Sequence, residues 1–468
     1  MTSNEPLTQD SSALERLDRV GWLHFYQMGR LQRPSHAPKI VVRADGIHLW
    51  DEKGRRYIDG LSGSYCMNLG YGRTSILERA HAAAMALPYA SPFVCAHPWG
   101  VDLAYALSEL ARPVVGPDAR VFFVNSGSEA VDTALKLARA YQRRSGSPRW
   151  RFVSREWSYH GTTWGAVSAS GYGPMREDFL PLLQGVSHAP HTLCARCALG
   201  LEPATCSLAC AQALEGQVNT PGPAAAAVLI EPFQNCGGNI PPPSGYLQAV
   251  ADACRRAGTL LILDEVLCGF GRLGAWFGSA LYGARADMLV CGKGLTGGYE
   301  ALGAVIVSRN VADAFVGDGD ALAFEHGATF GGRPAATAAA LETLRILRDE
   351  DVVATAARRG ARLLARLEQE LGSLPIVGQV RGAGMLFGID LVDPETRSLV
   401  EDGEFLERIS EALFAAGLIC RFYCMRQDAV IELAPPLVTS DSQCDEIAGI
   451  LARVLRAAGV PRPRGARA

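Results

Sequence analysis

Residues 259–308 read TLLILDEVLCGFGRLGAWFGSALYGARADMLVCGKGLTGGYEALGAVIVS, and this stretch decides the fold. Leu260 to Leu263, Met288 to Val290 and Leu302 to Val307 are short, nearly continuous apolar runs. Runs of that length, bounded by glycine and charged residues, are strands buried on both faces. Asp264 and Glu265 follow the first run, and Lys293 stands just beyond the second. Both polar groups therefore lie at the carboxyl ends of strands, the edge where open α/β sheets bind ligands.

Working outward, Val121 to Val124, Arg151 to Val153 and Ala226 to Ile230 are runs of the same kind, separated by helical stretches. From about residue 100 to 310 the pattern predicts an α/β sheet that is mostly parallel. Upstream, VVRADGIHLWDEKGRRYIDG (residues 41–60) has short alternating runs broken by Gly46 and the Glu52 to Gly54 turn, the signature of small strands and hairpins. After about Pro334 the apolar residues recur at helical spacing through residue 372. Strand-like runs follow at Met385 to Ile389 and Val430 to Leu433, which predicts a second, α+β lobe.

The chain has 468 residues, 48% of them hydrophobic and 20% charged, with a formal net charge of -3, so extended disorder and a phosphate-backbone binder are both disfavoured. Apolar runs such as Ala224 to Ile230 are far short of the roughly 20 residues that span a bilayer. The opening MTSNEPLTQDSSALERLDRV carries no basic region followed by an apolar one, and the thirteen cysteines read as reduced thiols. The expectation is a cytoplasmic protein that binds neither nucleic acid nor membrane.

An aspartate and a lysine held in one crevice suit pyridoxal 5'-phosphate. The amine can form a Schiff base with the aldehyde, and the carboxylate keeps the pyridine nitrogen protonated. A phosphate needs a cradle, and Ser126, Gly127 and Ser128 follow a strand and open the helical VDTALKLARAY, where free backbone N–H groups favour an anion. Tyr159 follows another strand and offers a ring to stack on a cofactor. Read singly, each has a plainer alternative: a structural aspartate, a solvated loop lysine, a simple N-cap, a core tyrosine.

In combination the motifs resemble those of class III pyridoxal-phosphate-dependent aminotransferases, the ω-aminotransferase group. They are SGSEA at 126–130, YHG at 159–161, EPFQ at 231–234, LDEVLCGFGRLG at 263–274, GKGLTGGY at 292–299, HGATFGGRP at 326–334 and LAPPLVTS at 433–440. The resemblance covers about residues 40 to 450. It implies a transferase of fold type I, with a large domain around a mostly parallel sheet flanked by helices and a smaller α+β domain. Residues 1–64 would contribute to the small domain, 65–334 would form the cofactor domain with a cysteine-rich insert at 194–210, and 335–468 would complete the small domain.

The same resemblance implies roles. Lys293 would be the Schiff-base lysine and proton shuttle, and Asp264 would bind the pyridine nitrogen. Val266 and Tyr159 would pack on opposite ring faces. Gly127 and Ser128 would hold the phosphate, joined by Thr329 of the partner subunit, which makes a homodimer the minimum active unit. His160 and Glu231 match motif positions as supporting residues. The expected reaction is ping-pong transfer of an amino group from a primary amine, diamine or ω-amino acid to a keto acid. An aminomutase or decarboxylase on the same cofactor is the alternative.

Arg421, in GLICRFYC, matches the mobile arginine that clamps a substrate carboxylate, with Arg426 as a nearby rival and a surface salt bridge as the plainer reading. In relatives that use 2-oxoglutarate, a glutamate two residues beyond E-P-x-Q pairs with that arginine; here the position is Cys236, which favours pyruvate. Tyr65 and Phe93 fall where that subgroup has pocket aromatics, and they equally suit a core. In HTLCARCALGLEPATCSLACAQALE (residues 191–215), Cys194 and Cys197 form a C-x2-C pair, and Cys206 and Cys210 would share a helical face. No catalytic metal is expected. Structural zinc, reduced thiols or a redox disulfide remain open for these four.

Overall fold

The computed structural model describes residues 12–26, 28–29, 38–220, 224–317, 323–422 and 429–461. Near its start, β1 (Val41–Asp45), β2 (His48–Asp51) and β3 (Arg56–Asp59) form an antiparallel ladder. Seven strands then build the large sheet: β4 (Arg120–Val124), β5 (Arg151–Arg155), β6 (Val186–Ala189), β7 (Ala225–Ile230), β8 (Leu260–Asp264), β9 (Met288–Cys291) and β10 (Gly303–Val307). The C-terminal part supplies β11 (Val377–Ala383), β12 (Leu386–Leu391), β13 (Leu418–Ile419) and β14 (Val430–Leu433).

The order in the large sheet is β4-β10-β9-β8-β7-β5-β6. Every residue of β7 and β8 is buried, as helix-covered parallel strands require. Strand β10 alone runs antiparallel to both its neighbours. Residues 292–302 contain no helix long enough to carry a crossover, so the chain folds straight back. The sheet is therefore mostly parallel, and β4, β5, β7, β8 and β9 all end at one edge. Strand β6, VSHA, escapes the apolar-run reading because it is an edge strand and only half-buried.

Helices cover the sheet. The helix Pro334–Asp349 packs on the helices Thr74–Ala86 and Pro98–Val115, and its buried Ala335, Ala336, Ala338, Ala339 and Ala340 permit close approach. Strand β13 pairs in parallel with β3, Leu418 opposite Ile58, so residues from both ends of the described chain share one sheet. Strand β12 pairs with β11 and β14. Among the described residues no helix is long and apolar enough to cross a membrane.

Arg272, in the LDEVLCGFGRLG segment, joins these layers and is fully buried. Its Nη1 donates to the carbonyls of Met385 (3.2 Å) and Pro435 (2.6 Å), and its Nη2 to Ser62 Oγ (3.1 Å) and Asn68 Oδ1 (2.7 Å). Burial lowers its pKa to about 10, which leaves the guanidinium charged at neutral pH. Removing the donors strands buried acceptors, so Arg272→Met should cost about 3–5 kcal/mol of stability. Urea denaturation checks this, and an unchanged midpoint would show that the network carries no net stabilisation.

Candidate active site

At the carboxyl edge of the large sheet, β4 leads into the helix Gly127–Arg144. Ser126 caps it, its Oγ accepting from the Glu129 N–H at 3.2 Å, while the Glu129 carboxylate accepts from the Asn125 N–H at 2.8 Å. The first-turn amides of Gly127 and Ser128 are thus left pointing toward the edge. Side chains have no room here. A Cβ on Gly127 would stand 2.9 Å from both Val266 methyls, and one on Gly161, where φ is +127°, would run into Ser128 Oγ.

His160 follows β5 and faces Asp264 at the end of β8, with Nδ1 2.7 Å from Asp264 Oδ2. An ionised carboxylate only accepts, so Nδ1 carries the hydrogen. The other ring nitrogen lies 3.1 Å from Ser154 Oγ, and the His160 N–H donates to Ser170 Oγ at 2.8 Å. The Val266 N–H donates to Asp264 Oδ1 at 3.1 Å. Both side chains are buried, so each fixes the orientation of the other.

Glu231 comes directly after β7. Its Oε1 accepts from the Asn235 N–H at 3.2 Å, while Oε2 is buried without a partner among the described residues. Burial, opposed by His160 and Arg155, pushes its pKa up to about 7. Lys293 stands just past β9 with φ of 42°, a left-handed conformation that costs a non-glycine residue about 1–2 kcal/mol. It keeps some surface open to the pocket, yet burial lowers its pKa, with the Asp264 carboxylate opposing the shift. Its Nζ lies 5.7 Å from the centroid of the Tyr65 ring.

Gly127, Ser128, Tyr159, Asp264, Val266 and Lys293 line one cavity of about 140 Å³, as do His160 and Glu231. Burial pushes the Tyr159 hydroxyl up to about 12, so it stays protonated. Tyr65 serves two surroundings: its ring packs with Phe233, Leu267 and Leu386, and its OH donates to Glu432 Oε2 at 2.7 Å. Phe93 and Thr329 do not line this cavity. Both are exposed on the single chain, where Tyr89 OH donates to the Thr329 carbonyl at 3.0 Å and Phe93 lies against Gly327.

Arg421 is drawn inward rather than left on the surface, its side chain only 11% exposed. Nη1 donates to Asn235 Oδ1 at 3.3 Å and to Glu432 Oε2 at 3.4 Å, and Nη2 lies 3.7 Å from Cys236 Sγ. The plain surface salt bridge is thereby corrected: position 236 carries no glutamate, and Arg421 meets a buried one from β14 instead. Sequence reasoning missed Glu432 and Asn235; an acidic residue inside the apolar run VIEL was the signal available. Arg426 lies outside the described residues.

A larger cavity, about 400 Å³, lies at the insert and is lined by Cys194, Cys197, Cys206 and Cys210. No aspartate, glutamate, lysine or arginine lines it, whereas Asp264, Glu231 and Lys293 converge on the smaller cavity. The shared helical face does not form. Ser207 and Leu208 both take positive φ, the helix starts at Ala209, and Cys206 stays in the preceding turn. Among the described residues no group of three histidine, cysteine or acidic side chains is arranged to hold a metal ion.

Residues 31–455 match the model of the aminotransferase class-III family. The chain belongs to that family. A probable aminotransferase of Mycobacterium tuberculosis is 40% identical over 461 residues, covering 97% of this chain and 96% of that protein. A putrescine–pyruvate aminotransferase of Pseudomonas aeruginosa is 34% identical over 420 residues, 87% of this chain and 88% of that one. The solved (S)-enantioselective ω-transaminase of Thermomicrobium roseum superposes with a TM-score of 0.88 at 34% identity, over 95% of this chain and 98% of that one. This class III aminotransferase is thus a pyridoxal-phosphate-dependent enzyme of the ω-transaminase-like subgroup, with fold type I.

The raised pKa of Glu231 has a defined sign. The folded protein holds this proton more tightly than the unfolded chain, so the associated stability is complete below about 4.5 and is lost as pH rises through about 7. In the cofactor-free protein, Glu231→Gln should make the fall in denaturation midpoint across that window shallower. Identical slopes for the two proteins would contradict it.

Proposed function

We propose that this class III aminotransferase takes an amino group from a primary amine, diamine or ω-amino acid and passes it to a keto acid, with pyruvate the favoured acceptor, in a ping-pong cycle. The observation that carries the reading is the meeting of Lys293, the Asp264–His160 pair and the N-terminus of the helix Gly127–Arg144 around one cavity. The residues fit pyridoxal 5'-phosphate. Glu231 Oε2 is a buried acceptor lacking a partner among the described residues, and the glycine cradle excludes side chains where a phosphate would sit. When bound, the cofactor supplies an electron sink for the donor's reacting carbon.

The chain's own residues do the rest. Asp264, held by His160, would present a carboxylate to the protonated ring nitrogen, and the Gly127 and Ser128 amides would receive the phosphate. Tyr159 and Val266, which line the same cavity, would confine the ring. Lys293 Nζ, whose proton is loosened by burial, would carry protons between substrate and bound cofactor, removing one from the donor carbon in the first half-reaction and delivering one to the keto acid's carbon in the second. Arg421 receives the keto acid's carboxylate through its guanidinium fork. Support for pyruvate comes from Cys236 at the position where 2-oxoglutarate users place a glutamate, and from the putrescine–pyruvate aminotransferase relative.

A homodimer completes the site in this reading. Tyr89, Phe93, Thr329 and Phe330 are exposed together, with Tyr89 and Phe330 rings 6.2 Å apart, a surface suited to a second copy. Thr329 and Phe93 would then serve the partner's phosphate and substrate pocket. The pairing of β3 with β13 supports a small domain built from residues 1–64 and 335–468, with 65–334 as the cofactor domain.

Lys293→Ala should abolish multiple turnover while leaving the fold intact by circular dichroism; full activity in that variant would remove the lysine from the mechanism. With wild-type holoenzyme, one amine should bleach the cofactor's visible band, and pyruvate should restore it. A band that no amine changes would shift the assignment to an aminomutase or decarboxylase.

A further inference from the structure

Arg421 and Glu432 face each other as a cross-strand bridge. The Arg421 N–H donates to the Glu432 carbonyl at 3.2 Å and the Glu432 N–H to the Arg421 carbonyl at 2.8 Å. Backbone pairing of this kind forces the two side chains to be neighbours. The Glu432 side chain is almost wholly buried, and among the described residues its Oε2 accepts from Tyr65 OH at 2.7 Å, Asn235 Nδ2 at 3.3 Å and Arg421 Nη1 at 3.4 Å. Asn235 in turn lines the cavity that holds Lys293. The carboxylate thus stands one residue behind the substrate pocket.

We infer that Glu432 is a specificity-determining residue: it is the resident counter-ion of Arg421, and it biases the pocket toward amine donors carrying a distal ammonium and against those carrying a distal carboxylate. The inference rests on the reading of Arg421 as the carboxylate clamp. Cys236 cannot supply that charge, because its buried thiol stays neutral at ordinary pH. The countercharge comes from β14, a strand of the scaffold.

The consequence follows from charge. A guanidinium already facing a buried carboxylate gains less from a second carboxylate, because the two anions must share it in a poorly solvated place. Tyr65 and Asn235 donate to the same carboxylate oxygen and hold it in place facing Arg421. When Arg421 turns away, Glu432, Tyr65 Oη and Asn235 Oδ1 remain as acceptors for an ammonium. A diamine of suitable length presents one amine to Lys293 and the other to this group. An ω-amino acid presents a second anion instead.

The test is steady-state kinetics of Glu432→Gln holoenzyme, which keeps the shape and an accepting oxygen but removes the charge. With 4-aminobutanoate as donor the Michaelis constant should fall about tenfold, and with 1,4-diaminobutane it should rise about tenfold, while that for 1-phenylethylamine, which carries no distal charge, stays within about twofold. Tyr65→Phe removes a donor to Glu432 and one acceptor for the distal ammonium while leaving the carboxyl group in place, so it should move the first two constants the same way as Glu432→Gln, by a smaller factor. These shifts overturn the inference if all three donors move together, or if none moves in either variant. Arg421→Ala separates the two ideas. If it leaves the Michaelis constant for pyruvate unchanged, the clamp itself fails; if it raises that constant while Glu432→Gln alters no donor ratio, only the role of Glu432 fails.

Discussion

The buried guanidinium of Arg272 is the contact on which the arrangement of this aminotransferase depends. A charge with no access to water must spend its donors on fixed acceptors, and those acceptors come from the segment after β3, the turn before β12 and the proline pair after β14. Arg272 itself follows β8, which ends in Asp264. The small sheets are thereby registered against the catalytic edge of the large one. Tyr65 stands beside Lys293 within that register, and Glu432 and Arg421 are tied to it by hydrogen bonds.

Around the edge, burial does opposite things to opposite charges. It loosens the proton on Lys293 and tightens the one on Glu231, while His160 and the Val266 amide fix the orientation of the Asp264 carboxyl group. Five strand ends deliver these groups, and the glycines between them keep the floor of the cavity free of side chains. The strained backbone at Lys293 fits this economy, because the surrounding packing over-determines one conformation. Farther out, strand β14 and the loop after β7 bring Glu432 and Asn235 to one arginine.

Much of this was legible in the chain because parallel strands covered on both faces must be continuously apolar, as AAAVLI and LLILD are. Asp264 and Lys293 stood out as polar groups placed where such runs stop. Strand β6 stayed hidden because an edge strand has no need of an apolar signature, and the reversal of β10 depended on a link too short for a crossover. The helical face expected of Cys206 and Cys210 failed at two consecutive left-handed residues that carry no glycine to announce them.

The amino-acid sequence by itself determined the α/β fold class and placed Asp264 and Lys293 at one edge of the sheet, because these follow from local runs and the residues that end them. Only the tertiary structure decided that Arg421 faces Glu432, that Tyr65 bonds the same carboxylate, and that Thr329 and Phe93 are turned to the surface. Those facts join residues far apart in the chain. Their proximity is set by the packing of whole sheets, and no local pattern records it.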